Sequence, residues 1–146
     1  MSMESVQHDF EERVGAEIRL VSAGADRYRV SSPFQFDDGD HFVIVLKREG
    51  DRWVLTDEAH TLMHLSYWVQ EEELGREDVL AAIDRLLSAY AVQRRNGEFT
   101  LPIIGEEYGK ALFGFIRALV KVIDYVMLPA ISVRKPRAES LGQAAA

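Results

Sequence analysis

The stretch YRVSSPFQFDDGDHFVIVLKREGDRWVLTDEAHTLMHL, residues 28–65, decides the fold class of this 146-residue chain. Apolar and polar residues alternate over 28–31, an apolar and β-branched run fills 41–47, and a second short run covers 52–55. Alternation and β-branched runs that are bounded by Gly, Pro and Asp are typical of strands joined by turns. The stretch therefore predicts a three-stranded antiparallel meander, in which Pro33 ends the first strand.

The pattern changes from strand to helix at Thr56-Asp57-Glu58. Thr56 or Asp57 is a good helix N-cap, and acidic residues in a first turn suit the positive end of the helix dipole. Apolar residues then recur at helical spacing, as Leu62, Leu65 and Val69. We therefore expect the third strand to run directly into a helix.

Helical patterns flank this meander on both sides. Residues 3–14 predict a first helix, 76–90 another, and 106–128 a very apolar last helix that we expect to be buried on nearly all sides. Residues 18–21 either extend the first helix or begin a strand, and 98–101 form a short strand. The predicted fold is α+β: a three- to four-stranded antiparallel meander, helices packed on one face, and a hydrophobic C-terminal helix. Residues 1–132 are expected to form one domain, and 133–146 a flexible tail.

Composition narrows the classes of partner and compartment. The chain contains no cysteine and carries a formal net charge of −7, which disfavours nucleic acid as a partner. Residues 35–78 hold twelve acidic residues against four Lys or Arg, a net charge of −8, whereas the rest of the chain carries +1. The acidic, polar N-terminus is unlike a signal peptide, and charges interrupt every long apolar window, so we expect a cytoplasmic protein outside the membrane.

Five carboxylates around the meander form the candidate binding surface. They are Asp37, Asp38, Asp40, Asp57 and Glu58. If the acidic turn and the strand end share one edge of the sheet, these groups lie close together and present an acidic face to a basic partner. Two other interpretations stay open: the carboxylates cap the turn and the helix, or Asp40, Asp57 and Glu58 bind a divalent metal ion.

Two histidines on the predicted helix form a weaker candidate metal site. His60 and His64 are four residues apart, a spacing at which one helix face can hold Zn²⁺. The sequence lacks the Glu of a zinc protease motif, and the third ligand would have to be His41 or an acid. We therefore assign no metal and no cofactor from the sequence, and keep the pair as partly exposed helix residues.

Apolar residues of the last helix are candidates for a homodimer interface. The face in question is formed by Phe113, Ile116, Val120 and Ile123. Aromatic residues elsewhere either form an exposed patch or fill the core: Phe34, Trp53, Tyr67 and Trp68.

A resemblance to a known family appears at Pro33-Phe34, Gly39-Asp40, Leu55-Thr56-Asp57 and Thr61. These residues resemble an uncharacterised family seen mainly in bacteriophages, mobile elements and bacterial genomes, with the pattern Ser/Thr-Pro-Phe, Gly-Asp and Leu-Thr-Asp-x-Gly-x-Thr. The chain departs from it at Ala59, where the family has Gly, a residue that adopts a positive φ without cost. The resemblance implies a phage or mobile-element association but no activity.

Three hypotheses follow for function. The first is a non-enzymatic protein-interaction module of phage or mobile-element type that modulates a host defence system through the acidic surface. The second is a divalent-metal-dependent enzyme acting on nucleic acid or nucleotide. The third is a homo-oligomeric accessory subunit.

Overall fold

An antiparallel sheet organises the chain in the computed structural model, which describes the backbone of residues 2–138 and the side chains of residues 2–128. Within this part of the chain the strands are β1 Arg19–Ser22, β2 Arg27–Ser31, β3 Val45–Glu49, β4 Arg52–Thr56, β5 Gln93–Arg95 and β6 Glu98–Pro102. Their order in the sheet is β1-β2-β3-β4-β6-β5, and every neighbouring pair is antiparallel. The α+β class is confirmed, whereas the predicted count of three to four strands is wrong, because the described sheet has six.

The two additional strands lie at the edges of the sheet: β5 was not predicted, whereas β1 matches one of the two alternatives given for residues 18–21. β1 is exposed along its length, so its sequence carries no buried face that would decide between strand and helix. β5 consists of Gln-Arg-Arg and pairs with β6 because Asn96 and Gly97 both take a positive φ and close a tight hairpin. The central strand is also shorter than predicted, since residues 41–44 pair with the rest of the sheet only irregularly before β3 begins at Val45.

Helices provide the second layer. The described chain contains α1 Met3–Asp9, α2 His60–Leu65, α3 Glu71–Leu74, α4 Glu77–Ser88 and α5 Tyr108–Ala138. A π-helical stretch, Phe10–Val14, and a 3₁₀ turn, Gly15–Glu17, prolong α1. The helix expected after β4 is broken into α2 and α3. The C-terminal helix is present and extends past the predicted domain boundary at 132; residues 139–146 lie outside the described part, so the flexible tail stays a prediction.

One core joins the sheet to α2, α4 and α5. Leu55, Phe99 and Leu101 of the sheet are buried in the same cluster as Ile83 of α4 and Phe115 of α5. The expectation that the last helix is buried on nearly all sides is wrong. A single helical layer covers the sheet, so only one stripe of α5 faces the core. Within residues 108–128, apolar side chains outside this stripe are exposed, among them Phe113, Val120 and Leu128.

The opposite face of the sheet is basic. Strand register and alternation place Arg19, Arg29, Arg52 and Arg95 on this face, and all four are exposed. Two carboxylates on this face are paired with a lysine: the Lys47 Nζ lies 3.5 Å from the Glu49 carboxylate and 4.0 Å from the Glu98 carboxylate. Among the helices of the described residues, none is long and apolar enough to cross a lipid bilayer.

Candidate functional site

A tight acidic turn presents the first group of carboxylates. The Phe36 N–H donates to the Asp40 carbonyl at 2.8 Å, and the Gly39 N–H donates to the Phe36 carbonyl at 3.0 Å, with Gly39 at φ +95°. The Asp40 N–H donates to Oδ1 of Asp38 at 3.0 Å. Since Asp side chains commonly stabilise turns in this way, the capping interpretation holds for Asp38. Its second carboxylate oxygen remains directed away from the turn, towards α2.

His64 of α2 meets these carboxylates. Its Nε2 lies 2.9 Å from Oδ2 of Asp38, and its Nδ1 lies 3.6 Å from Oδ2 of Asp40. The imidazole stacks on the Phe36 ring, with centroids 3.9 Å apart and planes at 20°, and Tyr67 contacts it edge-on. The His64 side chain is 9% exposed, so the turn and the stacked rings bury it almost completely.

A cavity opens beside this cluster. Its volume is about 230 Å³, and its lining combines Asp37, Asp38 and His64 with apolar side chains of the acidic turn, of α2 and the turn after it, and of α5. These apolar residues are Phe36, Leu65, Trp68, Ile123 and Met127. Trp68 remains 46% exposed, so the mouth of the cavity has an aromatic wall open to solvent. An apolar cavity with a few convergent polar groups is the usual form of a binding site.

Asp57 occupies a different environment, at the junction of β4, α2 and β6. Its carboxylate is fully buried and accepts hydrogen bonds from the N–H groups of Ala59 at 2.9 Å, Phe99 at 2.9 Å and Thr61 at 3.2 Å. The Asp57 N–H donates to the Phe99 carbonyl at 3.1 Å. Burial raises the pKa of the Asp57 carboxyl, and the hydrogen bonds from Phe99, Thr61 and Ala59 act in the opposite sense. Asp57 therefore links the start of α2 to strand β6 through hydrogen bonds.

Glu58 and Ala59 complete the junction with unusual backbone conformations. Both are left-handed, with φ +50° for Glu58 and +67° for Ala59. The Glu58 carboxylate accepts two hydrogen bonds from Arg27 of β2, at 2.6 and 3.1 Å, and this contact raises the pKa of Arg27. The family resemblance places Gly at position 59, and the positive φ there explains why Gly would suit it.

The structure thus divides the five predicted carboxylates. Asp37, Asp38 and Asp40 are exposed on the turn, whereas Asp57 and Glu58 serve the β4–α2 junction. The four predicted interface residues of α5 also differ from one another. Phe113 and Val120 are exposed, Ile116 is buried in the core of its own chain, and Ile123 lines the cavity.

The histidines are divided in the same way. Among the described residues, the group whose ligand atoms lie within 4.8 Å of one another is Asp38, Asp40 and His64. His60 is outside this group, and His41 instead contacts Gln35 at 3.3 Å. The sequence left an acid open as a further ligand beside His64, but no local spacing could show which acid, because the turn and α2 meet only in the folded chain.

Comparison with known proteins gives one match. The family model described as "Domain of unknown function DUF1828" matches residues 32–122, which include the acidic turn, the β4–α2 junction and His64. No curated protein matches the chain, and no solved structure matches it. The expectation of an uncharacterised family is confirmed, because a match over more than half of the sequence shows that this chain belongs to the DUF1828 family.

Proposed function

We propose that this domain is a non-enzymatic protein-interaction module that binds a basic segment of a partner protein at the acidic turn and the adjoining cavity. The exposed carboxylates of Asp37, Asp38 and Asp40 are the groups that attract the partner's Lys or Arg side chains. The cavity beside them receives an apolar side chain of the same segment.

The observation that carries this proposal is the combination of charge and apolar surface at one place. Asp37 and Asp38 contribute to the lining of a cavity whose other walls include Trp68 and Met127. Exposed aromatic side chains are enriched at protein interfaces, and complementary charges around them set partner choice and the rate of association. Tyr67, 67% exposed and in contact with His64, extends the aromatic surface.

The phage or mobile-element association is part of the same proposal and is supported only by the resemblance at Pro33-Phe34, Gly39-Asp40 and Leu55-Thr56-Asp57. On that basis we propose a cytoplasmic role in which the partner is a component of a host defence system. The metal-enzyme alternative loses support, because two of its three ligands, Asp57 and Glu58, are engaged with backbone N–H groups and with Arg27.

The experiment is a capture of partners from lysate of the source cell, followed by measurement of the affinity with the purified partner. Three proteins are compared: wild type, a triple variant Asp37→Asn/Asp38→Asn/Asp40→Asn, and Trp68→Ala. We expect one stoichiometric partner for wild type, with cross-links between its basic segment and residues around the turn. The triple variant and Trp68→Ala should each bind at least about tenfold more weakly, the size expected for a lost interface anchor.

The control is Asp51→Asn, which neutralises one carboxylate at the exposed β3–β4 turn, away from the acidic turn. It should bind as wild type does. Unfolding curves for each variant establish that the loss is not one of folding. Equal affinity for wild type and the triple variant, or cross-links confined to an acidic segment of the partner, would overturn the proposal.

A further inference from the structure

The cluster of Asp38, Asp40 and His64 contains a polar atom without a partner. Nε2 of His64 is buried and forms no hydrogen bond. The Asp38 oxygen 2.9 Å away is close enough, but it lies outside the direction that an N–H···O hydrogen bond requires. A buried nitrogen that faces a carboxylate without bonding to it is costly, because neither group recovers the water that it lost on folding.

We propose that these three residues bind a divalent transition-metal ion, with Zn²⁺ and Mn²⁺ as the best fits. One imidazole nitrogen with two carboxylates is a ligand set suited to such ions, since imidazole favours first-row transition metals and carboxylates accept Zn²⁺ and Mn²⁺ alike. Mg²⁺ prefers an all-oxygen, strongly hydrated site, so it should bind more weakly. The proposal does not depend on the protein-interaction function.

The spacing of the atoms agrees with coordination. Two ligands at about 2.1 Å from one ion and at a right angle to each other are separated by about 3 Å. The 2.9 Å between Nε2 of His64 and Oδ2 of Asp38 is such a separation. The three residues offer ligand atoms within 4.8 Å of one another. The Asp40 carboxylate lies 3.6 Å from Nδ1 of His64, so it has to rotate towards Nε2 to complete the ligand set.

The surroundings hold two ligands fixed and leave one adjustable. Stacking on Phe36 fixes the plane of the imidazole, and the Asp40 N–H fixes the Asp38 carboxylate. The Asp40 side chain is 68% exposed and can rotate towards the ion without disturbing the core. Solvent reaches the cluster from this side, which provides a path for the ion and room for coordinated water.

The test uses Zn²⁺, Mn²⁺ and Mg²⁺ on metal-free protein by titration calorimetry and thermal shift. Asp40→Asn is the main variant, because its exposed side chain can be changed without risk to folding. We expect one ion of Zn²⁺ or Mn²⁺ per chain, a raised melting temperature, and at least about tenfold weaker binding in Asp40→Asn and Asp38→Asn. Substoichiometric Mn²⁺ should broaden the amide resonances of residues 38–40 and 64 selectively.

Two controls change the same turn and the same helix outside the cluster. Asp37→Asn changes the same turn, and His60→Gln changes the same helix, yet neither residue belongs to the cluster. Both should bind the ion as wild type does, and so should Trp68→Ala, which separates this site from the partner-binding cavity. Absence of binding heat for Zn²⁺ and Mn²⁺, an unchanged affinity in Asp40→Asn, or broadening at another acidic segment such as 71–73 would each overturn the proposal.

Discussion

Replacement of Asp57 by Ala should destabilise the protein far more than loss of an ordinary helix cap. An exposed N-cap is worth about 1 kcal/mol. Asp57 is fully buried, and its removal leaves the buried N–H groups of Phe99 and Thr61 without a hydrogen-bond acceptor. The half-buried N–H of Ala59 loses its acceptor as well. Each buried unsatisfied donor costs about 1–3 kcal/mol, so we expect a loss of about 3–5 kcal/mol. Because small domains are stable by about 5–15 kcal/mol, the variant should be folded only marginally.

The assay is urea unfolding at neutral pH, followed by circular dichroism and by the fluorescence of Trp53 and Trp68. Asp57→Asn provides a milder companion, since its side-chain oxygen can still accept from two of the three N–H groups, and it should lose about 1–2 kcal/mol. Asp37→Ala, on the exposed turn, should change the free energy of unfolding by less than about 0.5 kcal/mol. If Asp57→Ala unfolds within about 1 kcal/mol of wild type, the carboxylate is merely a terminal cap and our account of the junction is wrong.

The junction and the last helix each allow further tests. Ala59→Gly should stabilise the protein by about 0.5–1 kcal/mol in the same urea assay. The left-handed φ costs Ala about 1–2 kcal/mol, and the greater conformational freedom of Gly in the unfolded chain offsets part of the gain from removing this cost. A destabilised variant would contradict this prediction. Burial raises the folded-state pKa of Asp57, so its contribution to stability is largest at low pH and falls as the pH rises through that raised value. The free energy of unfolding of wild type should therefore increase relative to that of Asp57→Asn between neutral pH and about pH 4. A difference between the two proteins that shrinks on acidification would contradict the predicted direction. Self-association, expected from the C-terminal helix, now depends on the exposed Phe113 and Val120; equilibrium sedimentation should show a dimer that Phe113→Ser weakens, and a purely monomeric wild type would exclude it.

Local chemistry explains which features could be predicted from the sequence. The change from strand to helix near Thr56-Asp57 was predictable because local hydrogen bonds depend on neighbours in the chain: the Thr56 hydroxyl accepts from the Glu58 N–H, and Asp57 accepts from Thr61. The predicted N-cap at Thr56 or Asp57 is wrong, because α2 begins at His60 and Ala59 occupies the N-cap position. The positive φ of Ala59 was not predicted, because Ala adopts this conformation less readily than the Gly expected there from the resemblance. The hydrogen bond between the Phe99 N–H and the Asp57 carboxylate could not be predicted, because the two residues are far apart in the sequence.

The composition of the candidate site was less accessible. Asp38 and His64 are far apart in sequence, and only the packing of α2 beside the acidic turn brings them together. Five acidic residues in one segment looked equivalent in a one-dimensional pattern. They separate in the fold because Asp57 points inward at the end of β4 while Glu58 reaches Arg27 on β2. The edge strands gave a weak signal for a related reason: an exposed strand needs no buried alternation, so β1 was only one of two alternatives and β5 was not predicted.

Basic and acidic groups lie on opposite sides of the sheet, so the molecule orients in an electric field. Arg19, Arg29, Arg52 and Arg95 lie on the face of the sheet opposite the helices, whereas the acidic turn lies with α2 on the helical side. In the field of another charged molecule, such a separation of charge rotates the domain so that the acidic turn points towards positive charge before contact. Screening sets the reach of this effect at about 8 Å in physiological salt. Repulsion between the acidic turns of two copies also disfavours an approach of the two copies through these turns. The charges therefore limit the orientations in which the domain first contacts another molecule.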